Sequence, residues 1–221
     1  MKGYIAMDAA IQKYTHHLIS RYPALAGVQA DVEAAYAVIE ESYTRGGKLL
    51  IAGNGGSSAD AEHIVGELMK GFLLPRHIGD EMCDQLCAVD PELGRQLSDK
   101  LQGALPAIAL HSQYALSTAY GNDCDPRLCF AQQVNGYGRA EDVFLGISTS
   151  GNSENVLYAA VTAKAKGMHV VGITGERESK LSAIADVCIR VPGTEAYRIQ
   201  EYHLPIYHCI CMMLEARFFG E

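Results

Sequence analysis

The sequence predicts an α/β protein, a doubly wound parallel sheet in a three-layer αβα arrangement, preceded by N-terminal helices. Three observations predict it. Five short runs, "LLIAG", "AIAL", "VFLGI", "VVGIT" and "VCIRV", are apolar, several with β-branched residues. That is the character of strands buried on both faces, as in a parallel sheet. Helical patterns lie between the later runs, which is the alternation of a doubly wound domain. Two of the runs end in Gly/Ser loops that lead into helices, where open parallel sheets place their ligand sites.

The elements follow in order. Residues 8–45 read as two helices, "DAAIQKYTHHLISRY" and "DVEAAYAVIEESYTRG", separated by "PALAGVQA". Apolar residues recur there at roughly helical spacing. Residues 1–46 form an N-terminal helical segment, expected to pack on the core or on neighbouring subunits. Residues 47–221 form the main domain. Within it, residues 73–103 look like an excursion between the first helix and the next strand, helical over 91–101, and a lid or interface element by expectation. Helical patterns follow at 154–166, 179–185 and from about 195 to 218. Pro205 sits inside the last of these, removes one backbone donor and is expected to kink it.

Composition excludes several classes of function. The chain has 221 residues, 48% hydrophobic and 20% charged, which is ordinary for a soluble globular protein. Its formal net charge is −8 and no Lys/Arg block stands out, so no nucleic-acid partner is expected. No apolar run reaches the ~20 residues of a membrane span, so no membrane partner is expected. Charges interrupt the N-terminus too early for a signal peptide. Seven cysteines without a repeated CxxC argue against a disulfide framework or zinc knuckle and for free thiols in a reducing cytoplasm.

The two loops are Asn54-Gly55-Gly56-Ser57-Ser58 and Ser148-Thr149-Ser150-Gly151-Asn152-Ser153. A helix N-terminus offers free N–H groups and the positive end of a dipole, and so attracts anions. Glycines let the backbone approach closely. The second loop carries four hydroxyls in six residues, a dense set of uncharged donors that suits phosphate. The same residue types also serve as ordinary caps and turns. Two such loops, each after a buried-type strand, favour phosphate binding over that reading. The dinucleotide fingerprint GxGxxG, the P-loop GxxxxGK[ST] and the hydrolase elbow GxSxG are all absent. A phosphorylated small molecule is therefore the expected ligand.

His63 and Glu67, at i and i+4 on the helix after the first loop, share a face. Taken alone, such a pair reads as a solvated helix surface. The C-terminal helix adds Gln200, Glu201, His203 and His208 to an otherwise apolar element. Residue pattern does not choose between the two histidines.

"GNGGSSADAEHIVGE", "GISTSGNSENV" and "RIQEYHLPIYH" resemble the sugar isomerase (SIS) family, and within it the bacterial phosphoheptose isomerases. The resemblance runs from about residue 48 to the C-terminus. It implies that Asn54, Ser57, Ser148, Thr149, Ser150 and Ser153 hold the sugar phosphate, with the glycines Gly55 and Gly56 between them. It implies that Glu67 and His208 form the acid/base pair. It further implies that His63, Glu67, Gln200 and His208 ligate one zinc ion per site, with Gln200 also at the substrate, and that His203 is structural. His and carboxylate are good zinc ligands, and an amide oxygen is a weaker one. A carboxylate on zinc is a poorer base, so the two roles of Glu67 imply a change of coordination during turnover. The chain departs from the pattern at Tyr197, where family members often carry an acid, at Pro205 and in the length of the 73–103 region.

The activity implied is aldose–ketose isomerisation of sedoheptulose 7-phosphate to a heptose 7-phosphate through an enediol, by general acid–base chemistry. The resemblance also implies a cytoplasmic homo-oligomer, commonly a tetramer. The rival implications are a non-catalytic SIS module, either a phosphosugar sensor or a replication-initiator-binding adaptor, and an isomerase or lyase of another sugar phosphate.

Overall fold

The computed structural model describes residues 8–220. Five parallel strands form one sheet in the order β2-β1-β3-β4-β5. They are β1 (Leu49–Ala52), β2 (Ala107–Ala109), β3 (Val143–Ile147), β4 (His169–Gly175) and β5 (Val187–Val191), one for each apolar run of the sequence. Register is set between neighbours, with Leu50 opposite Phe144 on one side and Ile108 on the other.

Side chains alternate across the sheet, as the two-residue period of a strand requires. Leu49, Ile51, Leu145, Ile147, Val171 and Ile173 face one helical layer. Leu50, Ala52, Phe144 and Val170 face the other. The first layer contains α1 (Ala9–Arg21), α2 (Gln29–Thr44), α3 (Gly56–Met69) and α10 (Ala196–Phe219). The second contains α7 (Cys129–Tyr137), α8 (Glu154–Ala165) and α9 (Lys180–Ile184). Both faces of β1, β3 and β4 are covered, which explains runs without polar alternation, whereas the edge strand β5 leaves Arg190 exposed.

The N-terminal helices join the first layer through Ile11, Leu18, Val32, Ala35 and Ile39. Asp8 caps α1 by accepting from the Ala10 N–H. Residues 1–7 of the N-terminal segment lie outside the described part, as does Glu221. The segment "PALAGV" between the two helices is a 3-10 turn, Pro23–Val28.

The excursion is a helical hairpin, α4 (Asp80–Val89) and α5 (Pro91–Lys100). Its base is closed by the antiparallel bridge His77–Gln102 and by the Gly103 N–H donating to the Arg76 carbonyl. Asp90 caps α5, with Pro91 at the first helical position. Between residues 111 and 137, where the sequence announces no element, the chain forms α6 (Tyr114–Asp123) and α7. α10 runs through Pro205 as one helix of 24 residues, with the proline ring buried.

One buried ion pair ties α3 to α10. Arg76, with a fully buried side chain, donates Nε to Glu215 Oε1 at 2.8 Å. Its other nitrogens donate to the carbonyls of Leu68 and Glu67, which end α3. Glu215 also accepts from the backbone N–H groups of Phe72, Leu73 and Leu74. Burial opposes the charge of Glu215, but those N–H donors and the guanidinium outweigh it and hold its carboxyl below the ordinary value. A buried pair satisfied on every side in this way fixes the end of the helix that carries His63 and Glu67.

Candidate active site

The strand order reverses between β1 and β3, so the loops after these two strands flank the crevice at the switch point. These are the two Gly/Ser loops. A reciprocal amide pair joins them. Asn54 Nδ2 donates to Asn155 Oδ1 at 2.9 Å, and Asn155 Nδ2 donates to Asn54 Oδ1 at 2.8 Å. Gly55 and Gly151 turn the loops with φ of 57° and 62°, a region that favours glycine. Ser57 and Ser148 are buried at the loop bases. The Ser148 and Ser153 hydroxyls lie 3.1 Å apart. Ser150 points outward and its hydroxyl accepts from the Asn152 N–H. The Thr149 carbonyl accepts from the Gly175 N–H, tying the second loop to the end of β4. An open cleft of about 360 Å³ lies alongside, lined by Pro126, Arg127, Ser153, Glu154 and Asn155.

α3 starts at the first loop and carries His63 and Glu67 on its crevice side. α10 brings His208 to the same place. His63 Nε2 lies 3.1 Å from Glu67 Oε1 and 3.4 Å from His208 Nε2. One donor atom from each of the three residues falls within 4.8 Å of the others, so the group could hold a metal ion. Lys70 donates to the second carboxylate oxygen of Glu67 at 3.2 Å. Burial, together with the neighbouring His63, pushes the His208 pKa below its ordinary value, with Glu67 opposing the shift.

Gln200 is placed differently. Its amide lies against Gly56, where a Cβ would come within 2.6 Å of Nε2. A larger residue at the start of α3 would displace the Gln200 amide. Gln200 sits about two turns before His208 on α10. His203 is fully buried against β4 and contributes nothing to the crevice.

Two residues of the crevice carry no expectation from the sequence. Asp60 lies one turn before His63 on the same face, at i and i+3, and that spacing is its signal. Tyr207 has none, because tyrosine on a buried helix face reads as core. Its hydroxyl lies 3.0 Å from His63 Nδ1 and 3.3 Å from Asp60 Oδ1. Burial raises the Asp60 pKa, with the Tyr207 hydrogen bond and His63 opposing it. Burial also raises the phenol of Tyr207, with Asp60 adding to it, so the hydroxyl keeps its proton.

Residues 97–175 match the SIS domain family. The phosphoheptose isomerase of Aneurinibacillus thermoaerophilus is 38% identical over 179 residues, 81% of this chain and 77% of that one. A phosphoheptose isomerase structure from Francisella tularensis superposes with a TM-score of 0.72 at 30% identity, covering 92% of this chain and 95% of that one. One from Neisseria gonorrhoeae does so with a TM-score of 0.69 at 30% identity, covering 93% and 98%. No described helix is long and apolar enough to cross a membrane. A five-stranded sheet with phosphate-suited loops at its switch point, a His/Glu/His cluster one helix away, and relatives matched over most of their length together place the chain in the phosphoheptose isomerase family of SIS-domain proteins.

Proposed function

We propose that this protein is an aldose–ketose isomerase that converts sedoheptulose 7-phosphate to D-glycero-D-manno-heptose 7-phosphate. The observation that carries the reading is the convergence of His208, from α10, with His63 and Glu67 on the helix that begins at the first Gly/Ser loop. From Gly56 to His63 that helix rises about 10 Å. This separation suits an extended sugar phosphate, with its anionic end at Asn54, Gly55, Gly56 and Ser57 and its carbonyl end at the cluster. Ser148, Thr149, Ser150 and Ser153 complete the phosphate cradle from the facing loop.

Glu67 and His208 are the acid/base pair. One takes the proton from the carbon beside the carbonyl and returns it to the neighbouring carbon, and the other moves a proton between the two oxygens of the enediol. Lys70 orients the Glu67 carboxylate.

His63, Glu67 and His208 would hold one zinc ion. Donors ~2.0–2.1 Å from one tetrahedral ion lie ~3.3 Å apart, and two histidines with one glutamate form a zinc set that leaves a position open for substrate. The distances of 3.1 Å and 3.4 Å to His63 Nε2 suit that arrangement. A zinc ion here would supply Lewis-acid polarisation of the sugar's carbonyl or hydroxyl oxygens. Gln200 would join as fourth ligand only by swinging from Gly56 towards the cluster.

A homotetramer in the cytoplasm completes the reading. Burying no side chain in α4 or α6 of the single chain supports assembly. Free cysteines throughout support a reducing compartment.

Turnover of sedoheptulose 7-phosphate, with metal analysis of the same preparation, tests the reading. Glu67→Gln and His208→Ala are each expected to lower kcat by about 10²–10⁴ with substrate binding retained. Full activity in both variants would overturn the acid/base assignment, and sugar-phosphate binding without turnover by the unaltered protein would favour the non-catalytic adaptor instead.

A further inference from the structure

The metal and acid/base readings leave Tyr207 unused, although it stands directly behind the cluster. Its side chain is buried and its ring meets those of His63 and His208 edge-on. The hydroxyl lies between two polar atoms only, His63 Nδ1 at 3.0 Å and Asp60 Oδ1 at 3.3 Å. Asp60 is also short of partners, since its Oδ2 is buried without one.

The proton count decides how this chain of atoms is wired. A carboxylate only accepts, and a phenol has one proton to give. If Tyr207 donates to Asp60, its oxygen can only accept from His63, so Nδ1 carries a hydrogen. The opposite wiring gives the Tyr207 proton to Nδ1. It then leaves both oxygens of Asp60 without a donor in a half-buried site, which is costly. With hydrogen held on Nδ1, the lone pair of Nε2 faces Glu67 Oε1 at 3.1 Å and His208 Nε2 at 3.4 Å, an arrangement of acceptors that a shared cation satisfies.

We propose that Tyr207 is a positioning residue. It bridges His63 to Asp60, holds the hydrogen of His63 on Nδ1, and so reserves Nε2 for a divalent cation. The tautomer of a metal-ligating histidine is commonly set by such a partner on its far nitrogen. Here that partner is a tyrosine relaying a carboxylate, and the three residues come from both helices that build the cluster. The inference rests on the metal reading above, but its first consequence, the tautomer, does not need the metal.

Two measurements test it. Zn²⁺ affinity is read by competition against a chromophoric chelator, and the imidazole tautomers of the metal-free protein by nitrogen-15 NMR. Tyr207→Phe is expected to weaken Zn²⁺ binding 10- to 100-fold and to remove the preference for hydrogen on Nδ1 of His63. Asp60→Asn, which still accepts from the hydroxyl, is expected to lose less than Tyr207→Phe. Wild-type affinity together with an unchanged His63 tautomer in Tyr207→Phe overturns the proposal. If Tyr207→Phe does not fold, Asp60→Ala, which removes the acceptor, is read in the same way. Failure of the unaltered protein to bind Zn²⁺ overturns the metal reading and the reservation of Nε2 for a cation. The NMR spectrum of the metal-free protein then upholds or overturns the Tyr207 bridge by itself.

Discussion

Two helix pairs of this chain are built on opposite principles. α3 and α10 meet around a buried Arg76–Glu215 pair and a continuous apolar face. α4 and α5 meet with no buried side chain at all. Gly94 is the buried residue of the two helices, and Met82, Val89, Leu93 and Leu97 are exposed. The first pair holds every residue of the proposed acid/base and metal set. The difference teaches where chemistry can be kept in register. A cluster in which donor atoms lie about 3 Å apart needs elements that the interior holds in one place. A hairpin held by a cap, a glycine contact and its closed base is suited to covering or contacting.

The sharpest way to break the contrast is at the ion pair. Arg76→Met leaves Glu215 buried without its cation, and is expected to destabilise the fold by about 3–5 kcal/mol. Chemical denaturation would measure it. A loss below 1 kcal/mol would show that the pair is dispensable and that the apolar face alone fixes α3 on α10.

His203 probes the same interior by pH. Burial lowers its pKa from 6.5 to about 4, neither ring nitrogen makes a well-aligned hydrogen bond, and the nearby Thr174 carbonyl offsets only part of the shift. The unfolded chain therefore binds this proton more readily than the folded one between these values. Its contribution is fully present above pH 6.5 and is lost as pH falls towards 4. The loss amounts to roughly 3 kcal/mol over that window. Stability curves of the protein and of His203→Leu should diverge there, with the variant less steep. Parallel curves would place the titration elsewhere.

The hairpin is tested at Gly94, where a Cβ would come within 2.5 Å of the Leu86 carbonyl oxygen. Gly94→Ala is expected to push α5 off α4 at a cost of about 1–3 kcal/mol. Hydrogen exchange should locate that loss in residues 80–100, with the α3–α10 amides unaffected. The smallest effect belongs to the exposed apolar side chains. Leu93→Ser should change the stability of a single chain by no more than about 0.5 kcal/mol. A larger loss that depends on protein concentration would show that another copy covers this face.

The strands, the order of loops and helices, and the phosphate-suited turns were legible because each is a local pattern. "LLIAG" and "VFLGI" show two-sided burial without reference to anything else in the chain. The pair His63 and Glu67 was legible for the same reason, through one helical turn. α6 was not, because it buries no side chain and no apolar stripe marks it. Gln200 was legible as a polar residue on an apolar helix, but its seat against Gly56 was not.

What the sequence determined by itself is therefore the sheet, its switch-point loops and the kinds of chemical groups available to them. What only the tertiary structure decided is which groups meet. His63 and His208 are 145 residues apart, and Tyr207 is 144 from His63 and 147 from Asp60. Periodicity reports which face of an element is buried, and it carries no information on which distant element arrives there. That choice is made by the packing of α10 against α3, and the buried Arg76–Glu215 pair holds the two in register.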